Sequence, residues 1–239
     1  MKLSYALTGL AAAAGLVAAT PALADAYVFD ASTLNQPITL NYNGFSGSTT
    51  INGLTGSTTF TLTGISGNSY TFNYSVADTS SAPITGSRIS GFAFNTDPTI
   101  ASATSSGTFS YTNTSANYPN GIGTVDVCFL GSNTSSCAGG GSGGVTQGST
   151  GAGSFTLTFS QPVSALTLSD FYVRYQSISG AGNITSASGA GTLTSTSTSS
   201  GGTPVPEPGM LGLMAGALVA AGLIRRRRPA TARFSAAAA

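Results

Sequence analysis

Cys128 and Cys137 are the two cysteines of the chain, and their spacing indicates a definite chemistry. Two thiols this close together can form a disulfide that closes a short loop, provided that the protein leaves the reducing cytoplasm. In the chain-entropy model, such a loop stabilises the folded state by about 2.5 kcal/mol. A redox-active pair needs a thiol pKa lowered by a helix N-terminus or a basic neighbour, and the sequence has neither beside these cysteines. The sequence therefore predicts a structural disulfide.

Most residue types used in catalysis are scarce. The chain has no His, one Lys (Lys2) and one Glu (Glu207), so acid–base and nucleophile–base pairs lack their usual members. The glycine-rich run formally matches a nucleophile elbow at Gly140–Gly144 and a dinucleotide loop at Gly139, Gly141 and Gly144. The elbow requires a His, and the dinucleotide loop must open a helix, which the sequence does not predict here. We expect no enzymatic activity and no cofactor; a hydrolase using two aspartates is the disfavoured alternative.

Carboxylates that could bind calcium are scattered along the chain, at Asp30, Asp78, Asp97, Asp126 and Asp170. Calcium sites take several carboxylate and carbonyl oxygens from one loop, and no Asp-x-Asp-x-Asp arrangement occurs. We therefore predict no metal site, with a calcium-binding loop as the alternative.

The charge distribution separates the middle of the chain from its ends. Charged residues make up 6% of the sequence, against about 25% in an average soluble domain. Most of the basic residues lie at the ends, at Lys2, Arg225–Arg228 and Arg233. Between them, Arg88 and Arg174 stand against six aspartates, a formal charge of −4. Because nucleic-acid binding needs clustered Lys and Arg, we exclude nucleic acid as a partner.

The N-terminus has the three parts of a secretory signal peptide: Lys2, an apolar stretch over residues 3–17, and small residues at Ala22 and Ala24. The pattern predicts recognition by signal peptidase and cleavage before Asp25. An N-terminal membrane anchor is the alternative, but Pro21 interrupts the moderately apolar segment.

Near the C-terminus, an uncharged apolar segment over residues 210–224 is followed directly by Arg225, Arg226, Arg227 and Arg228. As a helix it would span roughly 22 Å, less than a hydrocarbon core of about 30 Å. The arginines would hold its end in the cytoplasm, which predicts insertion in the inner membrane with the protein body outside. A buried core helix and a permanent anchor are the alternatives.

Pro206, Glu207 and Pro208 lie directly before this apolar segment. The order Pro-Glu-Pro, apolar helix, arginine cluster resembles the PEP-CTERM sorting signal of Gram-negative bacteria. The resemblance implies transient anchoring, processing by the membrane enzyme exosortase, and an association with exopolysaccharide and biofilm. The middle of the chain, over residues 125–129, 137–141 and 171–176, is similar to the cistern family of PEP-CTERM proteins, which implies no known activity.

The body of the chain has the pattern of an all-β protein. Short runs of β-branched and aromatic residues alternate with Gly, Asn, Ser and Pro, which predicts an antiparallel β-sandwich or jelly roll. The predicted organisation is a signal peptide over residues 1–24, a sandwich over 25–180, a flexible Ser/Thr/Gly-rich stalk over 181–204, a sorting signal over 205–228 and a cytoplasmic tail over 229–239.

The last predicted strand changes phase between Leu168 and Phe171. One extra residue at Ser169–Asp170 would reconcile the two halves, which predicts a β-bulge; two strands joined by a tight bend are the alternative. With a bulge, Asp170 and Arg174 would share the outer face and could form an ion pair.

Together these features predict an exported, non-enzymatic protein of the cell surface or extracellular matrix. The alternative is a carbohydrate-binding module, in which an exposed Tyr such as Tyr111 or Tyr118 stacks on sugar rings; core packing is the other possible role of these rings.

Overall fold

The computed structural model describes residues 25–194 of the 239-residue chain. This part contains twelve β-strands and a short 3₁₀ turn over Ala31–Thr33, which Asp30 caps. The strands are β1 Tyr27–Phe29, β2 Pro37–Ser46, β3 Thr49–Ser66, β4 Ser69–Asp78, β5 Gly86–Asp97, β6 Ser102–Gly107, β7 Tyr111–Tyr118, β8 Gly123–Leu130, β9 Val145–Thr146, β10 Thr150–Thr158, β11 Leu166–Ser179 and β12 Ser186–Leu193.

Every strand pairing is antiparallel, and the strands form one hydrogen-bonded sheet in the order β6-β10-β4-β3-β2-β12-β11-β5-β8-β7. The short strands β1 and β9 pair with β11 and β5. The predicted all-β antiparallel class is confirmed. The hydrogen bonds run through all the strands, where a sandwich has two separate sheets, and the sheet curls into a nearly closed, barrel-like shape.

Aromatic side chains fill the interior of the curled sheet. In β4 the residues alternate, so that Tyr70, Phe72 and Tyr74 point inward while the residues between them face outward. The Phe155 ring on β10 lies 4.7 Å from Phe129 on β8, although these strands are close to opposite ends of the sheet order. Each buried Phe contributes roughly 1.5–3 kcal/mol by leaving water. The aromatic core therefore holds the two halves of the sheet face to face.

Strand β12 corrects the predicted stalk. The sequence predicts a flexible stalk over residues 181–204, because Ser, Thr, Gly and Ala bury little apolar surface. Instead Ser186–Leu193 pairs with β11 on one side and β2 on the other. Small residues fit here because large side chains of the flanking strands fill the space: a Cβ added to Gly189 would lie 3.0 Å from the Tyr175 ring. Residues 195–204 lie outside the described part.

The predicted bulge in β11 is confirmed. Ser169 is opposite Asn95 and Tyr172 is opposite Ala93, so β11 holds one more residue than β5 between these pairs. Asp170 has a positive φ of 52° at this point. Leu166–Ser179 continues as one strand through the bulge, so the alternative of two separate strands is wrong.

Within residues 25–194, no helix has the length and apolar character needed to span a bilayer. The predicted signal peptide, the sorting signal and the C-terminal tail lie outside the described residues. This applies to Ala22 and Ala24 at the cleavage site, to Pro206, Glu207 and Pro208, and to Arg225, Arg226, Arg227 and Arg228.

Candidate functional site: a loop fastened to the outer face of the sheet

The predicted disulfide joins Cys128 on β8 to Cys137 in the loop between β8 and β9, with the two Cα atoms 5.9 Å apart. Both cysteines belong to a second, smaller hydrophobic cluster, with Ala93, Tyr118 and other residues. Ala93 lies between Phe92 and Phe94, which point into the main core, so this cluster lies on the outer face of the sheet. The loop over residues 131–144 therefore covers part of the outer face, and the disulfide holds it there.

Two arginines fasten the same loop. Arg88 donates from its two terminal nitrogens to the carbonyls of Gly141 and Gly140, both at 2.9 Å. Arg174 donates from Nε to the carbonyl of Ala138 at 3.0 Å. Gln176 donates to that same carbonyl at 2.6 Å. Arg88 and Arg174 are the only cationic side chains in residues 25–194, and both bind backbone carbonyls of this loop.

The predicted ion pair between Asp170 and Arg174 is wrong. Arg174 is 7% exposed and its Nε donates to Ala138, while the Asp170 carboxylate accepts a hydrogen bond from the Asn95 amide at 3.0 Å. Burial lowers the pKa of Arg174. In the folded protein, carbonyl oxygens rather than a carboxylate take the place of water around the Arg174 guanidinium. The carbonyl that accepts from Nε is that of Ala138, in the disulfide loop.

The glycine run is explained by close packing of the loop. Gly143 and Gly144 have φ values of +71° and +87°, a conformation that residues with a Cβ rarely adopt. A Cβ on Gly144 would also overlap the carbonyl oxygen of Ile89, and one on Gly143 would overlap that of Gly131. The run continues into the short strand β9 rather than a helix, so it has neither the context of a nucleophile elbow nor that of a dinucleotide loop.

The tip of the β7–β8 hairpin covers another part of the outer face, on strands β11 and β12. The tip carries Tyr118, whose ring lies 5.6 Å from Tyr172 on β11, and Asn120, whose side-chain amide lies 2.9 Å from the Ser188 hydroxyl on β12. The hydrogen-bond partners indicate that the side-chain oxygen of Asn120, rather than its nitrogen, faces Ser188 and Arg174. This oxygen accepts from the Ser188 N–H at 2.9 Å and from Arg174 at 3.2 Å. The hairpin tip is thus held on β11 and β12.

A groove of about 740 Å³ lies between strand β7 and the disulfide loop. Asn113 of β7 donates from its side-chain amide to the Thr134 carbonyl of the loop at 3.0 Å, which joins the two walls. The walls contain hydroxyl, amide and small apolar side chains and no charged residue: Thr112, Asn113, Thr114, Ser115, Ala116, Asn117, Pro119, Ser135, Ser136 and Ala138.

The two tyrosines considered for sugar stacking differ in position. Tyr118 is 1% exposed, and burial raises its pKa well above the ordinary value. It is therefore a packing residue of the hairpin tip. Tyr111 is 44% exposed at the start of β7, and strand alternation places it on the same side of the strand as Asn113.

The candidate calcium ligands are dispersed. No group of three or more His, Cys, Asp or Glu side chains comes together in residues 25–194. The buried Asp78 carboxylate accepts from the Ser87 hydroxyl at 2.7 Å and the Ser80 N–H at 3.1 Å, and Asp126 accepts from the Thr96 N–H at 2.7 Å. These carboxylates stabilise turns and strand ends.

In comparisons with protein-family models, curated proteins and solved structures, no match to this chain was found. The site that the structure assembles is therefore interpreted from its own residues. Sequence reasoning found the disulfide but missed Arg88, Arg174, Asn113 and Asn120 as residues that hold the loop and the hairpin. The sequence contains one signal for the two arginines. Arg88 and Arg174 are the only cationic residues within residues 25–194, so each requires hydrogen-bond acceptors for its guanidinium.

Proposed function

We propose that this protein is an exported, non-enzymatic component of the cell surface or extracellular matrix of a Gram-negative bacterium. In this proposal signal peptidase removes residues 1–24, the inner membrane holds the apolar segment transiently, and exosortase processes the chain near Pro206–Pro208. The mature protein then associates with exopolysaccharide.

The observation that carries this proposal is the disulfide between Cys128 and Cys137. Disulfides persist in oxidising compartments and are rare in the cytoplasm, which favours a location outside it. Both cysteines are buried in the outer-face cluster, so the bond is part of the packing of the loop. An exported location agrees with the signal-peptide pattern and with the tripartite C-terminal pattern. The resemblance of that C-terminal pattern to PEP-CTERM proteins is the reason for proposing exosortase as the processing enzyme.

The proposal is tested by comparing a host with exosortase and an isogenic strain lacking it. In the wild type, N-terminal sequencing and intact-mass analysis should give a protein that begins at Asp25 and lacks residues 210–239. In the deletion strain, the C-terminus should be intact and the protein should remain in the inner membrane.

Replacing Arg225–Arg228 by Ser should impair membrane retention before cleavage, because the segment loses the charges that hold its end in the cytoplasm. If wild-type cells keep the intact C-terminus on the mature protein, the segment is a plain anchor and the exosortase proposal fails.

A second candidate function is favoured by one observation. The groove between β7 and the disulfide loop is lined by hydroxyl and amide groups without charge, which supports a carbohydrate-binding module at the cell surface.

A further inference from the structure

We infer that the groove between β7 and the disulfide loop binds a neutral polysaccharide chain. This inference rests on the second candidate function and names its site and ligand class. The groove has the size of an ordinary ligand site, about 740 Å³ against roughly 300–1,000 Å³. Its two walls are fixed to each other by the Asn113–Thr134 hydrogen bond, and the loop wall is fixed to the sheet by the disulfide and by Arg174.

The lining indicates the ligand's charge. Hydroxyl and amide side chains both donate and accept hydrogen bonds, which suits the hydroxyl groups of sugars. The groove presents no Lys or Arg to pair with a carboxylate or phosphate, and the surrounding residues 25–194 carry a formal charge of −4. An anionic polymer would therefore be repelled, whereas an uncharged one would not.

A peptide strand added to the free edge of β7 is the competing ligand. Within the described residues, β7 pairs only with β8, so its other edge has no hydrogen-bonded strand. However, Ser115 in the middle of β7 has a φ of +50°, which interrupts the extended backbone that a pairing strand needs. The β7 wall of the groove therefore offers contacts from side chains rather than a ladder of backbone hydrogen bonds.

Tyr111 supplies an aromatic face next to the groove. It precedes Thr112 of the lining and lies on the Asn113 side of β7. Tyr111 and Val28 are the two large hydrophobic side chains exposed in residues 25–194, at 44% and 48%. Val28 belongs to β1, which pairs with β11 and contributes nothing to the groove, so it serves as a matched control.

The inference is tested with the full chain in detergent micelles, titrated by calorimetry with neutral dextran, galactomannan and cello-oligosaccharides and with anionic alginate. We expect saturable binding of at least one neutral glycan and none of alginate. Tyr111→Ala should weaken that binding by about tenfold or more, because truncating a contact aromatic removes a large share of the binding energy. Val28→Ala should change it by less than about twofold.

A second pair of variants tests the groove itself. Asn117→Trp places a large ring at an exposed groove position and should block binding, while Asn73→Trp, at an exposed position of β4 outside the groove, should not. Thermal unfolding of all four variants checks that they fold.

Absence of binding to every neutral glycan, preferential binding of alginate, or equal effects of the groove and control variants would each overturn the inference. Self-association through β7 without glycan binding would favour strand addition instead. Exosortase processing does not depend on these variants, so failure here and failure of the sorting proposal are distinguishable.

Discussion

The carboxylate of Asp25 accepts a hydrogen bond from the backbone N–H of Leu193 at 2.6 Å. Next to it, the Thr194 N–H donates to the Thr39 carbonyl at 2.9 Å. The residue predicted to follow the signal-peptide cleavage site is therefore tied to the end of the last strand. Because β12 lies between β2 and β11, which do not pair with each other, it also joins the two halves of the sheet.

This position of β12 predicts where the chain can be shortened. Deleting residues 186–194 should abolish cooperative unfolding, because β2 and β11 lose their shared partner strand and the buried Ala187 is removed. Deleting residues 195–204 should shift the thermal midpoint by no more than about 2 °C, since it removes none of these contacts. Circular dichroism melts of the two deletions make the comparison, and equal melts would contradict it.

The fold class, the disulfide and the bulge could be predicted from the sequence because each has a local signal. For the bulge, the signal is the change of parity between Leu168 and Phe171. Strand β12 has no such signal, because the side chains that crowd Gly189 and Gly191, among them those of Tyr42, Tyr175 and Phe171, come from other strands.

The groove could not be predicted for a similar reason. Its walls come from β7 and from a loop that follows β8, and what brings them together is the hydrogen bond of Asn113 to Thr134 and the fastening of the loop by Arg88 and Arg174. No spacing pattern indicates that a guanidinium binds the carbonyls of a distant glycine-rich loop. The buried Arg174 is the residue for which sequence reasoning chose the wrong partner.

Loss of the disulfide should destabilise the protein by about 2.5 kcal/mol, the value expected for a short loop. The variant that replaces both Cys128 and Cys137 by Ser should show this loss in urea titrations, and reduction of the wild type should match it. Reduced protein should also lose the groove wall that contains Ser135 and Ser136. An unchanged urea midpoint on reduction would show that Arg88 and Arg174 hold the loop without the bond.

The two arginines should differ in their contribution to stability. Arg174→Met removes a buried donor to the Ala138 carbonyl and should cost about 1–3 kcal/mol. Arg88→Met removes two hydrogen bonds to Gly140 and Gly141, one of them exposed, and should cost less, about 0.5–1.5 kcal/mol. Urea titrations of both variants measure the difference. A larger loss for Arg88→Met would mean that fastening of Gly140 and Gly141 dominates the stability of the loop.

Alkaline pH should destabilise the protein through its buried tyrosines. Burial raises the pKa values of Tyr42, Tyr118 and Tyr175 above the ordinary value of 10. Above pH 10 the unfolded chain loses these protons while the folded chain retains them, so the unfolded state binds fewer protons and the free energy of unfolding falls as pH rises. Below pH 10 both states are protonated and this contribution is fully present.

Each such tyrosine should lower the free energy of unfolding by up to about 1.4 kcal/mol per pH unit above its unfolded pKa. Urea titrations between pH 9 and pH 11.5 measure the slope, and absorbance at 295 nm reports tyrosinate. Tyr118→Phe removes one titrating group whose hydroxyl has no hydrogen-bond partner within residues 25–194, so it should reduce the slope by up to about 1.4 kcal/mol per pH unit without loss of a hydrogen bond. If the wild type and Tyr118→Phe have the same slope, the Tyr118 ring ionises in the folded protein and the hairpin tip opens before the sheet unfolds.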